Sequence, residues 1–200
     1  MYKRQVGGNS WRTTGDITDN WGSMAGIGFK QNGLEKYAKP GNWNDPDMLV
    51  VGHVGWGPAL HPTKLTSNEQ YTHISLWCLL SSPLLIGCDL TKLDDLTINL
   101  LTNDEVLEVN QDELGKQAGR LAKDGEGEVW AKPMADGSWA VGLFNLGSTP
   151  RPITADLSLL GITGKATVRD LWRQKDLPPA TGKLTQTIPR HGCALLRVAK

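Results

Sequence analysis

The chain has 200 residues, enough for one large domain or for two smaller ones. Its 21 basic and 21 acidic side chains give a formal net charge of zero. This balance gives no electrostatic reason to expect a nucleic acid or a membrane surface as a partner. No stretch approaches the roughly 18 consecutive apolar residues that a membrane-spanning helix needs, so we expect a soluble protein.

Two N-terminal motifs combine acidic, basic and aromatic residues. The first runs from Trp11 to Thr18 and places Arg12 four residues before Asp16. The second, from Trp43 to Gly52, passes from an acid-rich turn that contains Asp47 into an apolar, strand-like run. Paired carboxylates, a guanidinium and tryptophans are typical of a site that cleaves sugars. From the residues alone, Asp16 and Asp47 are the candidate pair of catalytic carboxylates, although each motif by itself is also compatible with a capped turn.

The first half of the chain alternates strand-like and helix-like segments. Acidic caps at 16–19 predict a helix through about residue 37, and Thr66 with Glu69 forms a capping box that opens a second helix. The long loop 52–65 between them is of a length that is often functional. Further segments are predicted as strands at 48–51 and 84–87 and as helices at 93–101 and 104–109. This order predicts a parallel sheet with helices outside, with the acids at the carboxyl ends of the strands.

From about residue 117 the pattern changes to alternating apolar and polar residues. The turn signals Asp124-Gly125 and Asp136-Gly137 lie beside two of the predicted strands. The spacing is typical of an antiparallel β-sandwich of about seven short strands. We therefore expect two domains, 1–115 and 116–200, joined by the short segment 110–115. The predicted strands are 128–132, 139–145, 153–157, 166–171, 184–188 and 194–198.

Four ordered blocks together resemble the retaining α-galactosidases, the melibiases of glycoside hydrolase family 27. The blocks are Trp11–Ile17, Gly41–Gly52, Ser75–Leu90 and Val109–Gln117, and the resemblance covers nearly the whole chain from about Gly8. It implies an α/β plus all-β fold, in which the C-terminal part of a (β/α)8 TIM barrel precedes an antiparallel β-sandwich. The chain would begin near the sixth barrel strand, so we expect a fragment that lacks five strands and cannot close a barrel by itself.

The resemblance also assigns roles to residues. Asp16 matches the general acid/base, Arg12 a ligand of sugar hydroxyls, Asp47 a residue that hydrogen-bonds galactose, and Met48 a packing residue at the sugar edge. Trp43 is a candidate to flank the sugar, with sealing of the barrel rim as the alternative. The family's nucleophilic aspartate lies at the end of the fourth strand, so it is expected to be absent from this chain. The assignment replaces the pairing of Asp16 with Asp47 as the two catalytic carboxylates.

A retaining enzyme needs its nucleophile about 5–5.5 Å from the acid/base. We therefore expect α-galactosidase chemistry on terminal α-D-galactosyl residues of oligosaccharides for the family, and no activity for this chain alone. The close relatives that act on α-N-acetylgalactosamine or β-L-arabinopyranose use nearly the same site, so the sugar specificity stays open. The alternative from another class is a non-catalytic remnant that binds carbohydrate or is purely structural. Its candidate residues are Trp130, Trp139 and Trp172, for which core packing is the competing interpretation.

Cleavage by two carboxylates requires no cofactor and no metal. In agreement, the three cysteines and four histidines show no ligand spacing, and the cysteines predict no disulfide framework. Residues 1–8 contain two basic side chains without an apolar stretch behind them, so we expect no signal peptide in this chain. The resemblance favours a secreted or periplasmic location and a carbohydrate substrate as the partner. The oligomeric state is open.

Overall fold

A computed structural model describes residues 7–55 and 57–200. The expectation about the N-terminal residues, in so far as it concerns residues 1–6, lies outside this part of the chain, as does Trp56 in the long loop. None of the described helices is long and apolar enough to cross a bilayer. The helices are α1 (Trp21–Gly28), α2 (Ser67–Leu79), α3 (Asp95–Thr102) and α4 (Asp104–Gln111), and the first four strands are β1 (Ser10–Arg12), β2 (Trp43–Asp45), β3 (His53–Val54) and β4 (His61–Pro62).

The first half contains one parallel strand pair, β1 with β2, as predicted, and one antiparallel pair, β3 with β4. β1 pairs with β2 in a register that sets Arg12 opposite Asp45, so both strands end at the same edge. The strand prediction for 48–51 was wrong in extent, because only Leu49 makes a bridge there, a parallel one to Ile86. The backbone N–H of Val50 donates instead to His73 Nε2, and its carbonyl accepts from Thr63 Oγ1. Side chains thus occupy the backbone groups that a continuous ladder would need.

The two helix starts differ in how well the sequence predicted them. α1 begins later than expected, because Asn20, and not an acid of 16–19, accepts the N–H of Ser23 as the N-cap. The prediction for α2 is confirmed: Thr66 and Glu69 form a reciprocal capping box. This helix is buried on nearly all sides, since it packs against the other helices and against the C-terminal sheet.

The C-terminal half forms one eight-stranded antiparallel sheet that folds over into a sandwich. The strand order is β5-β6-β7-β12-β9-β10-β11-β8, and β8 packs across β6 and β7. Two strands were not predicted, β5 and β10. The second of these contains Pro178 and Pro179, which cannot donate to a ladder and accompany a register shift. The strands are β5 (Gly119–Asp124), β6 (Gly127–Pro133), β7 (Trp139–Asn145), β8 (Arg151–Asp156), β9 (Lys165–Asp170), β10 (Lys175–Thr181), β11 (Lys183–Ile188) and β12 (Cys193–Ala199).

Two apolar clusters form the core. One lies inside the sandwich and includes Val141, Leu143 and Leu196. The other joins the halves, because Trp130 and Phe144 from the opposite face of the sheet pack in the same cluster as residues of α2. The sheet is therefore apolar on both faces, and the N-terminal half is fixed against it by a continuous core.

Candidate active site at the strand ends

Arg12 joins two carboxylates at the carboxyl ends of β1 and β2. Its Nη2 lies 3.2 Å from Asp16 Oδ1 and 2.9 Å from Asp47 Oδ2. The same nitrogen donates to the carbonyl oxygen of Gly15 at 2.8 Å. Parallel pairing of β1 with β2 produces this arrangement, since it brings residues 33 positions apart in sequence to one edge. The structure thus brings together three of the predicted site residues.

Asp47 is held rigidly and is nearly buried. Its side chain is 11 % exposed, and its Oδ2 accepts the N–H of Ile17 at 2.8 Å. Its Oδ1 accepts the N–H of Met48, while its own N–H donates to Asp45 Oδ1 and its carbonyl accepts the indole N–H of Trp77. The backbone of Asp47 has φ 89°, in a region that favours glycine. A carboxylate with this many partners is suited to positioning neighbouring groups more than to covalent chemistry.

Asp16 has the opposite environment. Its side chain is 94 % exposed, and Arg12 is its one ion-pair partner among the described residues. The carboxylate is therefore accessible to a ligand and to water. Because Asp16 and Asp47 contact the same nitrogen atom, their nearest oxygens lie within about 6 Å of each other.

Met48 lines a cavity of about 390 Å³ beside this cluster. Gly87 lies so close that a Cβ there would come within 2.6 Å of the Met48 sulfur and 2.7 Å of the Leu49 carbonyl. Glycine at position 87 therefore lets Met48 pack directly against the neighbouring segment. The cavity has apolar walls at Ile17 and Val50 and polar groups at its rim. An apolar cavity with few polar groups is the usual form of a small-ligand site.

A pair that the sequence did not predict, Asp19 and His61, lies at the rim of this cavity. His61 Nε2 is 3.1 Å from Asp19 Oδ2, and the backbone N–H of Lys64 donates to the same oxygen. The pKa of His61 is raised, first by its contact with the Ala59 carbonyl and then by Asp19. Burial acts to raise the pKa of Asp19, but the hydrogen bonds from Lys64 and His61 outweigh it and lower that pKa. This pair ties the long loop to the segment after Asp16.

Trp43 is not part of the cluster. It is the first residue of β2 and pairs with Ser10, at the amino ends of the two strands, whereas Arg12 and Asp45 lie at the carboxyl ends. It lines a separate cavity of about 410 Å³ together with residues of 81–84 and 110–115. Its ring lies against Gly115, where an added Cβ would approach it to 2.7 Å. Trp43 thus contacts the segment that leads into the sandwich.

Trp77 is a further residue that sequence reasoning did not assign to the site. Its ring is fully buried, and its Nε1 donates to the Asp47 carbonyl at 2.8 Å. It also meets the buried His73 edge to face, with the ring centres 4.1 Å apart. Burial lowers the pKa of His73 to about 3, so this ring is neutral and its Nε2 accepts the N–H of Val50. The tryptophan in α2 was a visible signal, but nothing in the sequence indicated which carbonyl it would meet.

Comparison with known proteins agrees with this architecture. A family model described as alpha galactosidase A matches residues 3–112, and one described as alpha galactosidase C-terminal beta sandwich domain matches residues 124–198. Alpha-galactosidase 2 of Arabidopsis thaliana is 43 % identical over 195 residues, which are 96 % of this chain and 47 % of that protein. The chain thus spans about half the length of this relative.

Solved structures give the same result. A putative alpha-galactosidase/melibiase from Bacteroides fragilis superposes with a TM-score of 0.89 at 32 % identity, over 100 % of this chain and 44 % of that one. A GH27 β-L-arabinopyranosidase from Geobacillus stearothermophilus superposes with a TM-score of 0.84 at 32 % identity, over 96 % of this chain and 45 % of that one. The predicted fold, the C-terminal part of a TIM barrel followed by a β-sandwich, is confirmed. The chain belongs to the alpha galactosidase A family, the melibiases of glycoside hydrolase family 27.

Proposed function

We propose that this chain carries the acid/base part of a retaining α-galactosidase site, which acts on terminal α-D-galactosyl residues of oligosaccharides. The observation that supports this most is the arrangement around Arg12, where one exposed and one buried carboxylate meet the same guanidinium. The exposed carboxylate, Asp16, is accessible for proton transfer to a glycosidic oxygen, while the buried one, Asp47, holds the guanidinium beside it. The relatives' names support the substrate class, since they include alpha-galactosidases.

In this proposal, Asp16 protonates the leaving glycosidic oxygen and then removes a proton from the attacking water. Arg12 and Asp47 bind sugar hydroxyls and hold Asp16 in place, and Met48 packs against the edge of the ring. Asp47 serves as ligand and not as nucleophile, because both of its oxygens already accept bonds or an ion pair from Arg12, Ile17 and Met48. Trp43 stays outside the proposed sugar site because of its place at the amino end of β2.

The nucleophile is proposed to lie outside these 200 residues. Without it, Asp16 can supply only proton transfer, which contributes roughly 10²–10⁴-fold to the rate. We propose further that the chain has two domains, 1–115 and 116–200, which pack on a shared core and have their boundary between the end of α4 and the start of β5. Galactose and arabinopyranose are both candidates for the terminal sugar, since the relatives include galactosidases and an arabinopyranosidase.

The test replaces the matching half of the Arabidopsis thaliana relative with this chain. We expect the chimera to hydrolyse both raffinose and p-nitrophenyl α-D-galactoside. Asp16→Asn should slow raffinose hydrolysis by roughly 10²–10⁴-fold. The initial release of p-nitrophenol should persist, because that leaving group needs no proton. Asp156→Asn is the matched control: Asp156 caps a short turn in the sandwich through Ser158 and does not line the cavity beside Met48, so this variant should behave as the unchanged chimera.

Two results would contradict the proposal. An equal loss on raffinose and on the nitrophenyl substrate in Asp16→Asn would remove the acid/base role. Turnover by the 200-residue chain alone would show that a carboxylate within it replaces the missing nucleophile.

A further inference from the structure

A cavity of about 520 Å³ lies between the first turns of α2 and the sandwich. It shares no lining residue with the cavity beside Met48. Its size is within the range of small-ligand sites. It opens to solvent, because several of its lining residues, among them Asn68, Thr187 and Pro189, are exposed. We call it the Tyr71–Trp172 groove.

Two aromatic side chains form one wall of the groove. Tyr71 and Trp172 meet edge to face with ring centres 4.7 Å apart and an interplanar angle of 84°. Both are partly exposed, and both have their polar atoms fixed: Trp172 Nε1 donates to Ser75 Oγ at 2.8 Å, and the Tyr71 hydroxyl accepts from Asn99. Rings held in this way contribute contact area without a large ordering cost on binding.

Polar groups face the rings. Asp170 has a carboxylate that is 8 % exposed, and it accepts the backbone N–H of Arg173 at 3.1 Å. The Arg173 guanidinium is 75 % exposed and makes one ion pair, to Asp170 at 3.3 Å, so it keeps further N–H donors. Gln186 is half-buried and adds a carboxamide, for which no hydrogen bond is present in residues 7–55 and 57–200. The groove therefore offers acceptors and donors next to apolar ring surface.

The two charges that line the groove are paired with each other. Asp170 and Arg173 therefore add no net charge to the groove, which suits an uncharged ligand. Aromatic rings beside carboxylate, guanidinium and amide groups match a ligand with apolar ring faces and many hydroxyls. We infer that the Tyr71–Trp172 groove binds a neutral saccharide, as a second carbohydrate site beyond the proposed catalytic function.

The probe is raffinose, titrated into the ¹⁵N-labelled 200-residue chain and followed by NMR. We expect saturable shifts of the Trp172 indole N–H and of backbone signals in 170–173 and 186–189. Arg173→Ala and Gln186→Ala should each weaken binding. The expected loss of affinity is roughly tenfold for Arg173→Ala, because it removes a charged donor. Lys183→Ala, at an exposed position of β11, is the matched control and should leave the affinity unchanged.

Asp16→Ala distinguishes this site from the proposed catalytic one. Residue 16 belongs to the cluster beside the Met48 cavity and does not line the groove. Shifts at Trp172 that persist in Asp16→Ala and weaken in Arg173→Ala would support the inference. Shifts confined to residues around Arg12 and Asp47 would overturn it. So would the absence of a shift at Trp172 with raffinose at tens of millimolar, a concentration that would reveal even weak binding. An affinity that Arg173→Ala and Gln186→Ala leave unchanged would also overturn it.

Discussion

Arg12 contacts one exposed and one nearly buried carboxylate through the same nitrogen atom, and the two acids differ in their consequences for stability. Asp47 satisfies two backbone N–H groups and the guanidinium, in a cluster that also includes the Trp77 indole bond to its carbonyl. Asp16 has one exposed ion pair, and exposed pairs contribute little. Asp16, which the proposal places at the reacting oxygen, thus contributes less to the stability of the fold than Asp47 does.

Asp47→Ala should lower the free energy of unfolding by about 3 kcal/mol, because it leaves the N–H groups of Ile17 and Met48 without their acceptor and removes the less exposed of the two carboxylates that Arg12 contacts. The left-handed backbone at position 47 adds strain for alanine. Urea unfolding followed by circular dichroism measures the change. Asp16→Ala is the control and should change the value by less than about 0.5 kcal/mol. Equal effects of the two variants would show that Asp47 is not the organising residue.

At the scale of elements, the long loop after the second motif is fixed to the segment after Asp16 by Asp19 and His61. The pKa of His61 is raised above its ordinary 6.5, so its stabilisation is complete below 6.5 and is lost as the pH rises through the folded value. The pKa of Asp19 is lowered below its ordinary 3.8, so its stabilisation is present above 3.8 and is lost as the pH falls through the folded value. Both contributions are present between these two ordinary values.

We therefore expect the loop 52–65 to exchange its amide hydrogens most slowly near pH 5 to 6, after correction for intrinsic exchange, and faster as the pH rises past the folded pKa of His61. Hydrogen exchange measured by mass spectrometry on peptides from this loop tests this. His61→Ala should remove the pH dependence and leave peptides from β7, which lie in the core, unaffected. A pH dependence that survives in His61→Ala would assign it to another group.

At the scale of the whole molecule, α2 and the sandwich sheet share one core. Gly142 in β7 faces this helix, and a Cβ there would come within 2.5 Å of Leu79 Cδ1 and 2.4 Å of Phe144 Cε2. Both neighbours are fully buried. The contact therefore sets how closely helix and sheet approach each other, and the two halves should unfold together.

Gly142→Ala should destabilise the protein by about 1–3 kcal/mol through overpacking. Gly164→Ala is the matched control, since a Cβ there meets nothing within 4 Å, and it should be nearly neutral. Urea unfolding monitored by tryptophan fluorescence and by far-ultraviolet circular dichroism should give one coincident transition for each variant. Two separated transitions would contradict the shared core.

Much of this architecture was readable in the residues, because its signals are local. Thr66 and Glu69 cap α2 within one turn of chain, and the hairpins of the sandwich follow from Asp-Gly turns and alternation. The resemblance carried by the motifs around Arg12 and Asp47 led to the family. Local signals failed where partners are distant: Asp19, one of the acids expected to cap α1, pairs with His61 while Asn20 is the cap, and β10 formed in spite of its prolines because β9 lies alongside it.

The sequence by itself determined the fold class, the family and the candidate acids, since these depend on short motifs and on periodicity. Only the tertiary structure decided which acid is exposed and which is buried, that Trp43 lies at the opposite strand end, and that Trp77 and the Asp19–His61 pair support the site. Those properties depend on strand register and on contacts between residues 30 or more positions apart. A burial pattern or a hydrogen bond across such a distance has no local signal, because it exists only once the chain has packed.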